Sequence, residues 1–396
     1  MNTLELEGQL DELYVCASCG NCTLVCPVYR QLKWESYGPR GKLRILRTIG
    51  EGDAEFNDNF AWKVFLCSLC EHCAAVCTTG ISLTRFWEAA RAESLQRGFQ
   101  PSPAEYINDS IKTHGDIFAM GPKARLIWIE DLEEEVKSRV NKPAEVAYFL
   151  GCNVSLKPHL HDVAHSFVKI MEYAGVDYTV LGDKELCCGA PLIWSGDLTG
   201  ATSLGEKIYD TMCELGIKKI IFSCPSCINA FITRYPKELT EAFEEKFELL
   251  TTTQFIDQLN KENLLEFDEQ TMITVTYHDS CISARKLGII EEPRDIISRI
   301  PGVYKIEMLP SREETRCCGA HGLLNVVEPQ LSSQIAAMRL RDVSVTPATK
   351  LLVDCPRCLN AFELASHSMG YRVEIEDIVQ FVAKSLKPKD SGGISS

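Results

Sequence analysis

The apolar residues of this chain change their spacing along its length, and the change divides the chain into regions. Between residues 145 and 386, short apolar runs rich in β-branched and aromatic residues alternate with longer stretches at helical spacing. Such short runs are typical of strands buried on both faces of a parallel sheet. Before residue 145 the apolar positions instead favour helices, as in residues 43–49 and 61–66. The predicted fold class is therefore α+β, with a mainly helical N-terminal part followed by α/β units.

The α/β region repeats itself. The stretch Cys224-Pro-Ser-Cys-Ile-Asn-Ala-Phe231 matches Cys355-Pro-Arg-Cys-Leu-Asn-Ala-Phe362, and the offset between matching residues stays near 130 along the region. Internal duplication at one offset indicates two copies of one structural unit. We call residues 145–265 copy one and residues 266–387 copy two.

Each copy contains three predicted strands that end at or just before a cysteine. They are residues 146–152, 178–181 and 219–224 in copy one, and residues 273–281, 304–309 and 350–355 in copy two. Predicted helices lie between them, for example at 201–215 and 331–343. Because open α/β sheets bind ligands at the carboxyl ends of their strands, we expect the cysteines of each copy to converge there.

Eight cysteines near the N terminus form two runs with the same spacing, Cys-x2-Cys-x2-Cys-x3-Cys. In the bacterial ferredoxin pattern, three cysteines of a run bind one [4Fe–4S] cluster and the fourth binds the other cluster. The pattern predicts one cubane cluster on Cys16, Cys19, Cys22 and Cys77, and a second on Cys67, Cys70, Cys73 and Cys26. The alternative is a zinc site, but zinc prefers two CxxC pairs separated by a longer loop.

These runs complete the predicted domain organisation. Residues 1–95 form a helical ferredoxin-type domain with two clusters, and the cysteine-free residues 96–144 form a connecting segment with some helix. Copy one and copy two follow, and residues 388–396 form a flexible tail.

Ten more cysteines form two matching sets of five, one in each copy. Five thiols exceed what a cubane cluster or a zinc ion uses, and the glycine after each adjacent cysteine pair lets backbone approach a metal closely. Zinc sites or buried reduced thiols are the alternatives. The sets are Cys152, Cys187, Cys188, Cys224 and Cys227 in copy one, and Cys281, Cys317, Cys318, Cys355 and Cys358 in copy two.

The paired Cys-Cys-Gly sets resemble the CCG domains of the heterodisulfide reductase family, and the ferredoxin runs fused ahead of them resemble the D-type subunits of that family. The resemblance covers residues 10–95 and 145–385. It implies that the five-cysteine sets bind noncubane [4Fe–4S] clusters. The chain would then hold two of these clusters, or at least one, beside the two cubane clusters. The resemblance also implies an iron–sulfur enzyme subunit that reduces a disulfide of the CoM-S-S-CoB type.

The resemblance leaves a second function open. Paired CCG motifs also occur in iron–sulfur subunits of glycolate and glycerol-3-phosphate dehydrogenases, and in sulfite-reduction and benzoyl-CoA reductase complexes. In such a complex the chain would transfer electrons without catalysing the final reaction. A zinc-bound structural protein is the third hypothesis.

Three residues outside the cysteine sets are predicted to be catalytic: His278, His321 and Arg285. A histidine has a near-neutral pKa, so His278 could donate a proton to a departing thiolate; its alternative role is a backbone hydrogen bond at a strand end. His321 has no counterpart in copy one, where Pro191 stands.

Four cations lie near the copy-two cysteines in the sequence. Guanidinium groups suit anionic substrates such as sulfonates or phosphates, and cations here could also balance cluster charge or be solvated. They are Arg285, Lys286, Arg316 and Arg357. The leftover cysteine, Cys213, lies on a helical pattern and is predicted to be a small buried hydrophobe.

Charge and composition restrict the partners. The net charge of −14 argues against nucleic-acid binding, which needs a basic surface. The N-terminal residues lack the pattern of a secretory signal, and no stretch reaches the roughly 18 apolar residues that a membrane span needs. We therefore expect a cytoplasmic chain with reduced cysteines, attached to a membrane only through a partner.

The chain has no GxGxxG fingerprint and no Walker lysine loop, so we expect it to bind neither NAD(P)H nor flavin. Electrons would then come from a partner subunit. That partner would be a flavoprotein, a hydrogenase or formate dehydrogenase module, or a membrane cytochrome b. The other expected partner is a small thiol or disulfide, and the number of clusters suggests an anaerobic source.

Overall fold

The computed structural model of the chain describes residues 10–371 and 373–389. The predicted flexible tail, 388–396, lies outside the described residues from 390 onward. The N-terminal part is helical, and its longest amphipathic element before residue 60, α4, buries Leu43, Leu46 and Ile49 on one face. The helices are α1 (Leu10–Tyr14), α2 (Asn21–Val25), α3 (Pro27–Leu32), α4 (Pro39–Gly50), α5 (Asp58–Phe65), α6 (His72–Ala75) and α7 (Leu83–Gln96), with a 3-10 turn at Glu35–Tyr37.

The connecting segment packs along copy one. It contains α8 (Ser102–His114), a 3-10 helix at Pro122–Ile129 and α9 (Glu134–Lys137). Trp128, Ile129 and Val136 are buried in an apolar cluster that contains residues of both copies. Val140 then forms a parallel β-bridge with Val180. The end of the segment thus pairs with the sheet of copy one.

Copy one is an α/β unit around a parallel sheet with the strand order β2-β1-β3-β4. The strands are β1 (Val146–Phe149), β2 (Tyr178–Val180), β3 (Lys219–Phe222) and β4 (Glu248–Thr251). The helices are α10 (Gly151–Leu156), α11 (His161–Ala174), α12 (Ala190–Ser195), α13 (Leu198–Glu214), α14 (Pro225–Asn229), α15 (Lys237–Lys246) and α16 (Thr252–Lys261), with 3-10 turns at Pro158–Leu160 and Gly182–Lys184 and a π-helical turn at Ala230–Arg234.

Copy two has the same topology, with the strand order β6-β5-β7-β8. Tyr277 of β5 pairs with Leu352 of β7 just as Tyr148 of β1 pairs with Ile221 of β3. The strands are β5 (Ile273–His278), β6 (Val303–Lys305), β7 (Lys350–Val353) and β8 (Glu374–Asp377). The helices are α17 (Cys281–Arg285), α18 (Glu292–Ser298), α19 (Leu324–Val327), α20 (Pro329–Ser344), α21 (Pro356–Met369) and α22 (Ile378–Ser385), with a 3-10 turn at Arg312–Glu314.

The strands are shorter than the apolar runs predict. β3 ends at Phe222 and β7 at Val353, because the Pro225 and Pro356 that follow begin helices and leave Cys224 and Cys355 as N-cap residues. The apolar runs also do not predict the fourth strand of each copy. β4 and β8 are short, and each opens on an exposed glutamate, so they lack a continuous apolar run.

The α+β class predicted from the sequence is confirmed, with two small parallel sheets behind a helical N-terminal part. The domain boundaries given above stay predictions. Across residues 10–371 and 373–389, no helix has the length and apolar character that a bilayer crossing requires.

Candidate metal centres

The first ferredoxin set surrounds one recess at the surface of the helical part. The recess measures about 390 Å³, and it is lined by Cys16, Cys19, Cys22 and Cys77 together with Arg40 and other residues. The left-handed conformations of Ser18 and Gly20 bend the chain around it. Cys77 comes from the second run, as the ferredoxin pattern predicts, and Cys19 is exposed. The chain thus places four thiols from two distant segments around one opening.

Local contacts act differently on the thiols of this recess, because burial raises the pKa of Cys22 whereas the pKa of Cys77 is lowered. Burial raises the pKa of Cys77, but hydrogen bonds from the Thr79 hydroxyl and from nearby backbone N–H groups outweigh burial and lower it overall. The Arg40 guanidinium donates to the Ser18 carbonyl oxygen at 3.2 Å, which holds a positive charge at the rim. A thiolate is the form of cysteine that binds metal.

The second ferredoxin set lies deeper in the molecule. Burial and the neighbouring thiols of Cys67, Cys70 and Cys26 raise the pKa of Cys73, which indicates that the four sulfurs lie close together. Burial raises the pKa of Cys26 and Cys67, and the ammonium group of Lys42, 2% exposed, only partly offsets that rise. A buried cation beside four thiols suits a group that carries negative charge.

A buried arginine joins this set to both copies. Arg91 is fully buried, and its guanidinium donates to backbone carbonyl oxygens of all three parts of the molecule. The acceptors are Val64 (2.9 Å), Cys67 (2.6 Å), Trp194 (2.9 Å) and Gly322 (2.9 Å). One side chain therefore bonds to the second ferredoxin run and to both copies.

The second set touches copy two directly. Cys70 is buried in one small cluster with Cys281, Ile282 and Cys317. Arg285 donates from Nε to the Cys70 carbonyl oxygen at 2.8 Å. These contacts make copy two the neighbour of the ferredoxin part at this point.

The five cysteines of copy one line a second recess, of about 330 Å³. Trp194 and Arg357 line it as well, and Arg357 comes from copy two. A Cβ added to Gly151 would lie 3.1 Å from the Cys227 sulfur, so this position favours glycine for close approach. The cysteines are Cys152 on α10, Cys187 and Cys188 after β2, Cys224 before α14 and Cys227 on α14.

The connecting segment supplies a cation to this recess. Arg125 donates from Nη2 to the Cys152 sulfur at 3.1 Å and from Nη1 to the Glu185 carboxylate at 2.7 Å. Both charged side chains are 2% exposed. Glu185 also accepts the Leu150 and Gly151 N–H groups, which orients the turn before Cys152. No sequence pattern predicts this role for Arg125, because it lies in the stretch without cysteines.

The five cysteines of copy two are all buried. The Cys358 and Cys318 sulfurs are 3.1 Å apart. The two copies also meet at their cysteine sets, since Arg357 of the copy-two Cys-Pro-Arg-Cys turn lines the copy-one recess beside Cys224 and Cys227. Both Cys-Pro-x-Cys turns thus face each other across the boundary between the copies.

The predicted catalytic histidines are enclosed. His278 is fully buried against Phe362, and burial together with the Arg339 charge lowers its pKa well below the ordinary value, which favours a neutral ring. His321 contacts the Ser68 carbonyl oxygen at 2.9 Å through Nδ1 and the Trp194 ring at 4.3 Å, and burial lowers its pKa to about 3. Their role as proton donors stays a prediction.

The four predicted cations have different surroundings. Arg285 donates to the carbonyl oxygens of Cys70, Glu313 and Thr315. Lys286 pairs with Glu71, and Arg316 pairs with Asp342. Arg357 lies over the Trp194 ring at 4.8 Å and donates to the Ala320 carbonyl oxygen, which leaves its charge in the copy-one recess.

These residues fit [4Fe–4S] clusters. The first ferredoxin set places four thiols around one recess, and the copy-one set places five around the other. The second ferredoxin set and the copy-two set supply four and five more thiols, and buried cations lie beside the sets. In the described ranges no three Cys, His, Asp or Glu side chains are grouped closely enough to hold one metal ion. Cys213, by contrast, is half-buried on α13, away from the four sets.

Comparison with known families matches this organisation. A 4Fe-4S dicluster domain model matches residues 12–81, and a cysteine-rich CCG domain model matches residues 146–232 and 275–363. These matches support several [4Fe–4S] clusters in the chain.

Curated relatives agree with the domain matches. The D-type subunit of the dihydromethanophenazine:CoB–CoM heterodisulfide reductase from Methanosarcina acetivorans is 30% identical, over 96% of this chain and 95% of the relative. The probable iron–sulfur-binding oxidoreductase FadF of Bacillus subtilis is 24% identical, over 97% of this chain and 61% of the relative. The EtfAB:quinone oxidoreductase of Syntrophomonas wolfei is 26% identical, over 74% of this chain and 42% of the relative.

Proposed function

The chain belongs to the family of D-type heterodisulfide reductase subunits, and from that premise we propose that it reduces a disulfide at its two Cys-Cys-Gly sets. As a member of that family it is an iron–sulfur oxidoreductase that transfers electrons as part of a larger complex. The disulfide would be of the CoM-S-S-CoB type named for the Methanosarcina relative.

The cluster ligands in this proposal are the four cysteine sets. The ferredoxin sets would hold cubane clusters, and the five-cysteine sets of the two copies would hold noncubane clusters. When bound, the clusters supply one-electron transfer and iron atoms that accept sulfur ligands. The cations Lys42, Arg91 and Arg125 would offset the negative charge of thiolates and clusters.

The presence of Arg357, from the copy-two Cys-Pro-Arg-Cys turn, in the recess that Cys224 and Cys227 line carries the proposal. Splitting a disulfide takes two electrons and two protons and yields two thiols. Because each cluster passes one electron at a time, two centres that adjoin each other suit this reaction better than one. The five-cysteine sets adjoin where the Cys-Pro-x-Cys turns face each other, and the copy-one recess opens beside that point.

The chain's own residues would bind and orient the substrate in the copy-one recess. Trp194 presents an aromatic face there, and Arg357 presents a guanidinium that makes no carboxylate pair within the described residues. A guanidinium in that place would hold a carboxylate, sulfonate or phosphate group of a thiol substrate.

The test uses the anaerobically purified, chemically reduced holoprotein with CoM-S-S-CoB. We expect stoichiometric release of both thiols and a change in the electron paramagnetic resonance spectrum when either thiol is added to the oxidised protein. A Cys187→Ala/Cys188→Ala variant with its other clusters intact serves as the inactive control. Full cluster loading with neither cleavage nor a spectral response to thiols would rule the proposal out.

A second function is favoured by the matches to FadF and to the EtfAB:quinone oxidoreductase. In that function the chain relays electrons between other subunits and leaves catalysis to them. The electron-donating partner would be a flavoprotein, a hydrogenase or formate dehydrogenase module, or a membrane cytochrome b that holds the chain at the cytoplasmic face of a membrane. Purification of the complex with its partner subunits, and identification of their cofactors, separates the two functions.

A further inference from the structure

The two sheets differ at one edge strand. The matching edge strands are β2 in copy one and β6 in copy two. Gly175-Val176 of copy one matches Gly302-Val303 of copy two, and at the same offset Glu307 is the counterpart of Val180. Tyr178 and Val180 of β2 are almost completely buried, with 0% and 1% exposure. On copy two their counterparts Lys305 and Glu307 are 22% and 30% exposed, and Tyr304 and Leu309, which flank them in the chain, are 59% and 73% exposed. The same edge of the same fold is therefore buried in one copy and partly exposed in the other.

The connecting segment covers the β2 edge, and we call its residues 122–141 the strap. The Val180 N–H donates to the Arg139 carbonyl oxygen, and the Asn141 N–H donates to the Val180 carbonyl oxygen at 2.9 Å. Arg139 also lies 4.6 Å from the Tyr178 ring centre and pairs with Glu172. The strap thus forms a parallel β-bridge between Val140 and Val180 and lies over the sheet edge.

Copy two has no such cover among the described residues. The segment before β5 runs toward the opposite edge of the sheet, where Phe267 forms a bridge with Leu386 and the Asp268 N–H donates to Ser385. No described residue makes a backbone hydrogen bond to the N–H or carbonyl oxygen of Glu307. Exposed strand edges of this kind are templates for the addition of another strand.

We propose that an extended segment of a partner subunit covers the β6 edge, in parallel, as the strap covers β2. The proposal rests on the place of the chain in a multisubunit complex. The segment would carry apolar side chains, because Tyr304 on β6 and Leu309 just after it present 59% and 73% of their surface. Its backbone would pair with Glu307 as Arg139 and Asn141 pair with Val180.

A second copy of this chain suits the edge less well. Lys305 and Glu307 place charges in the edge itself, and charged edge residues are a common device against pairing between identical edges. A partner segment evolved for this site can meet those charges with complementary groups, which the identical edge of a second copy cannot do throughout its length.

The experiment compares hydrogen–deuterium exchange of the isolated chain with that of the complex isolated with its natural partner subunits. We expect the backbone amides of residues 304–309 to exchange at least tenfold more slowly in the complex, about 1.4 kcal/mol by the usual conversion. The amides of residues 178–180 should exchange alike in both samples, because the strap already covers them. Equal exchange at 304–309 in the two samples overturns the proposal.

Two variants sharpen the test. Tyr304→Asp/Leu309→Asp should weaken association with the partner subunits by roughly tenfold or more, whereas Leu364→Asp, at a residue that is 62% exposed on α21, should not. Both should keep disulfide cleavage by the chemically reduced chain, so a failure of the edge proposal is distinct from a failure of the proposed function. Protection of 304–309 that instead rises with the concentration of the isolated chain identifies a second copy as the occupant and overturns the proposal.

Discussion

Copy one and copy two carry the same five-cysteine pattern in the same fold, yet they face different neighbours. Copy one is bound by the connecting segment, which brings Arg125 to Cys152 and covers the β2 edge. Copy two instead receives the loop of the second ferredoxin set, through Arg285 and the cluster of Cys70 with Cys317. Duplication has kept the metal-binding chemistry and changed what each copy is connected to.

The difference separates two tasks. Copy two contacts the second ferredoxin set where Cys70 packs with Cys281 and Cys317. Copy one has the recess that Trp194 and Arg357 line together with its five cysteines. We therefore expect electrons to pass from the ferredoxin part to copy two and then to copy one.

The largest expected effect tests this order of electron transfer between the two copies. Cys317→Ala/Cys318→Ala should abolish reduction of the copy-one centre as well, because the expected path of the electrons runs through copy two. Cys187→Ala/Cys188→Ala should leave the copy-two centre reducible. Rapid-freeze electron paramagnetic resonance after addition of a viologen radical measures both, with iron and sulfide content as the control. Wild-type reduction of copy one in the first variant would contradict the order of transfer.

The next effect concerns stability, and it is specific to copy one. Arg125→Met should lower the free energy of unfolding by about 3–5 kcal/mol, because it leaves the buried Glu185 carboxylate without its partner. Anaerobic urea unfolding of the holoprotein measures the loss. Arg125→Met/Glu185→Gln should recover part of it. Lys218→Met, which breaks the exposed pair with Glu145, should cost less than about 1 kcal/mol.

A third difference lies in the helix that follows the last strand of each copy. In copy one, Thr251 caps α16 with a hydroxyl, and in copy two, Asp377 caps α22 with a buried carboxylate. Burial, with smaller contributions from Asp354 and Glu376, raises the pKa of Asp377 to about 8. The two caps therefore respond differently to pH.

Because the pKa of Asp377 is raised on folding, the folded chain keeps a proton between about pH 4 and pH 8 that the unfolded chain releases. This carboxyl should therefore lower stability by up to about 1.4 kcal/mol for each unit of rising pH in that window. Asp377→Thr, which installs the copy-one residue, should remove this slope while keeping a cap. Unfolding free energies near pH 5 and near pH 7.5 measure it. Parallel slopes for the wild type and the variant would show that the carboxylate stays ionised in the fold.

The cysteine spacing predicts the four sets, and the repeat that it predicts agrees with the two matches to the CCG domain, because a metal cluster and a duplicated fold both require fixed intervals along the chain. The surroundings of the sets were not predictable in this way. Arg91 and Arg125 reach their partners only after distant segments pack, and nothing in their local sequence distinguishes them from exposed arginines. The short strands β4 and β8 were missed for a related reason, since pairing to an existing sheet rather than an apolar run makes them strands.

The smallest expected effect concerns the one cysteine that lies outside all four sets. Of the nineteen cysteines, Cys213 belongs to neither copy's set nor to the ferredoxin sets, and it is half-buried on α13. Cys213→Ser should change the free energy of unfolding by less than about 0.5 kcal/mol and leave iron and sulfide content unchanged. In the cluster-loaded wild type, a thiol reagent should modify Cys213 alone, because the remaining eighteen sulfurs would be held by iron. The thiol reagent should modify no cysteine of the Cys213→Ser variant. A cysteine that does react in this variant is not a cluster ligand, and its position shows in which copy the assigned set is incomplete.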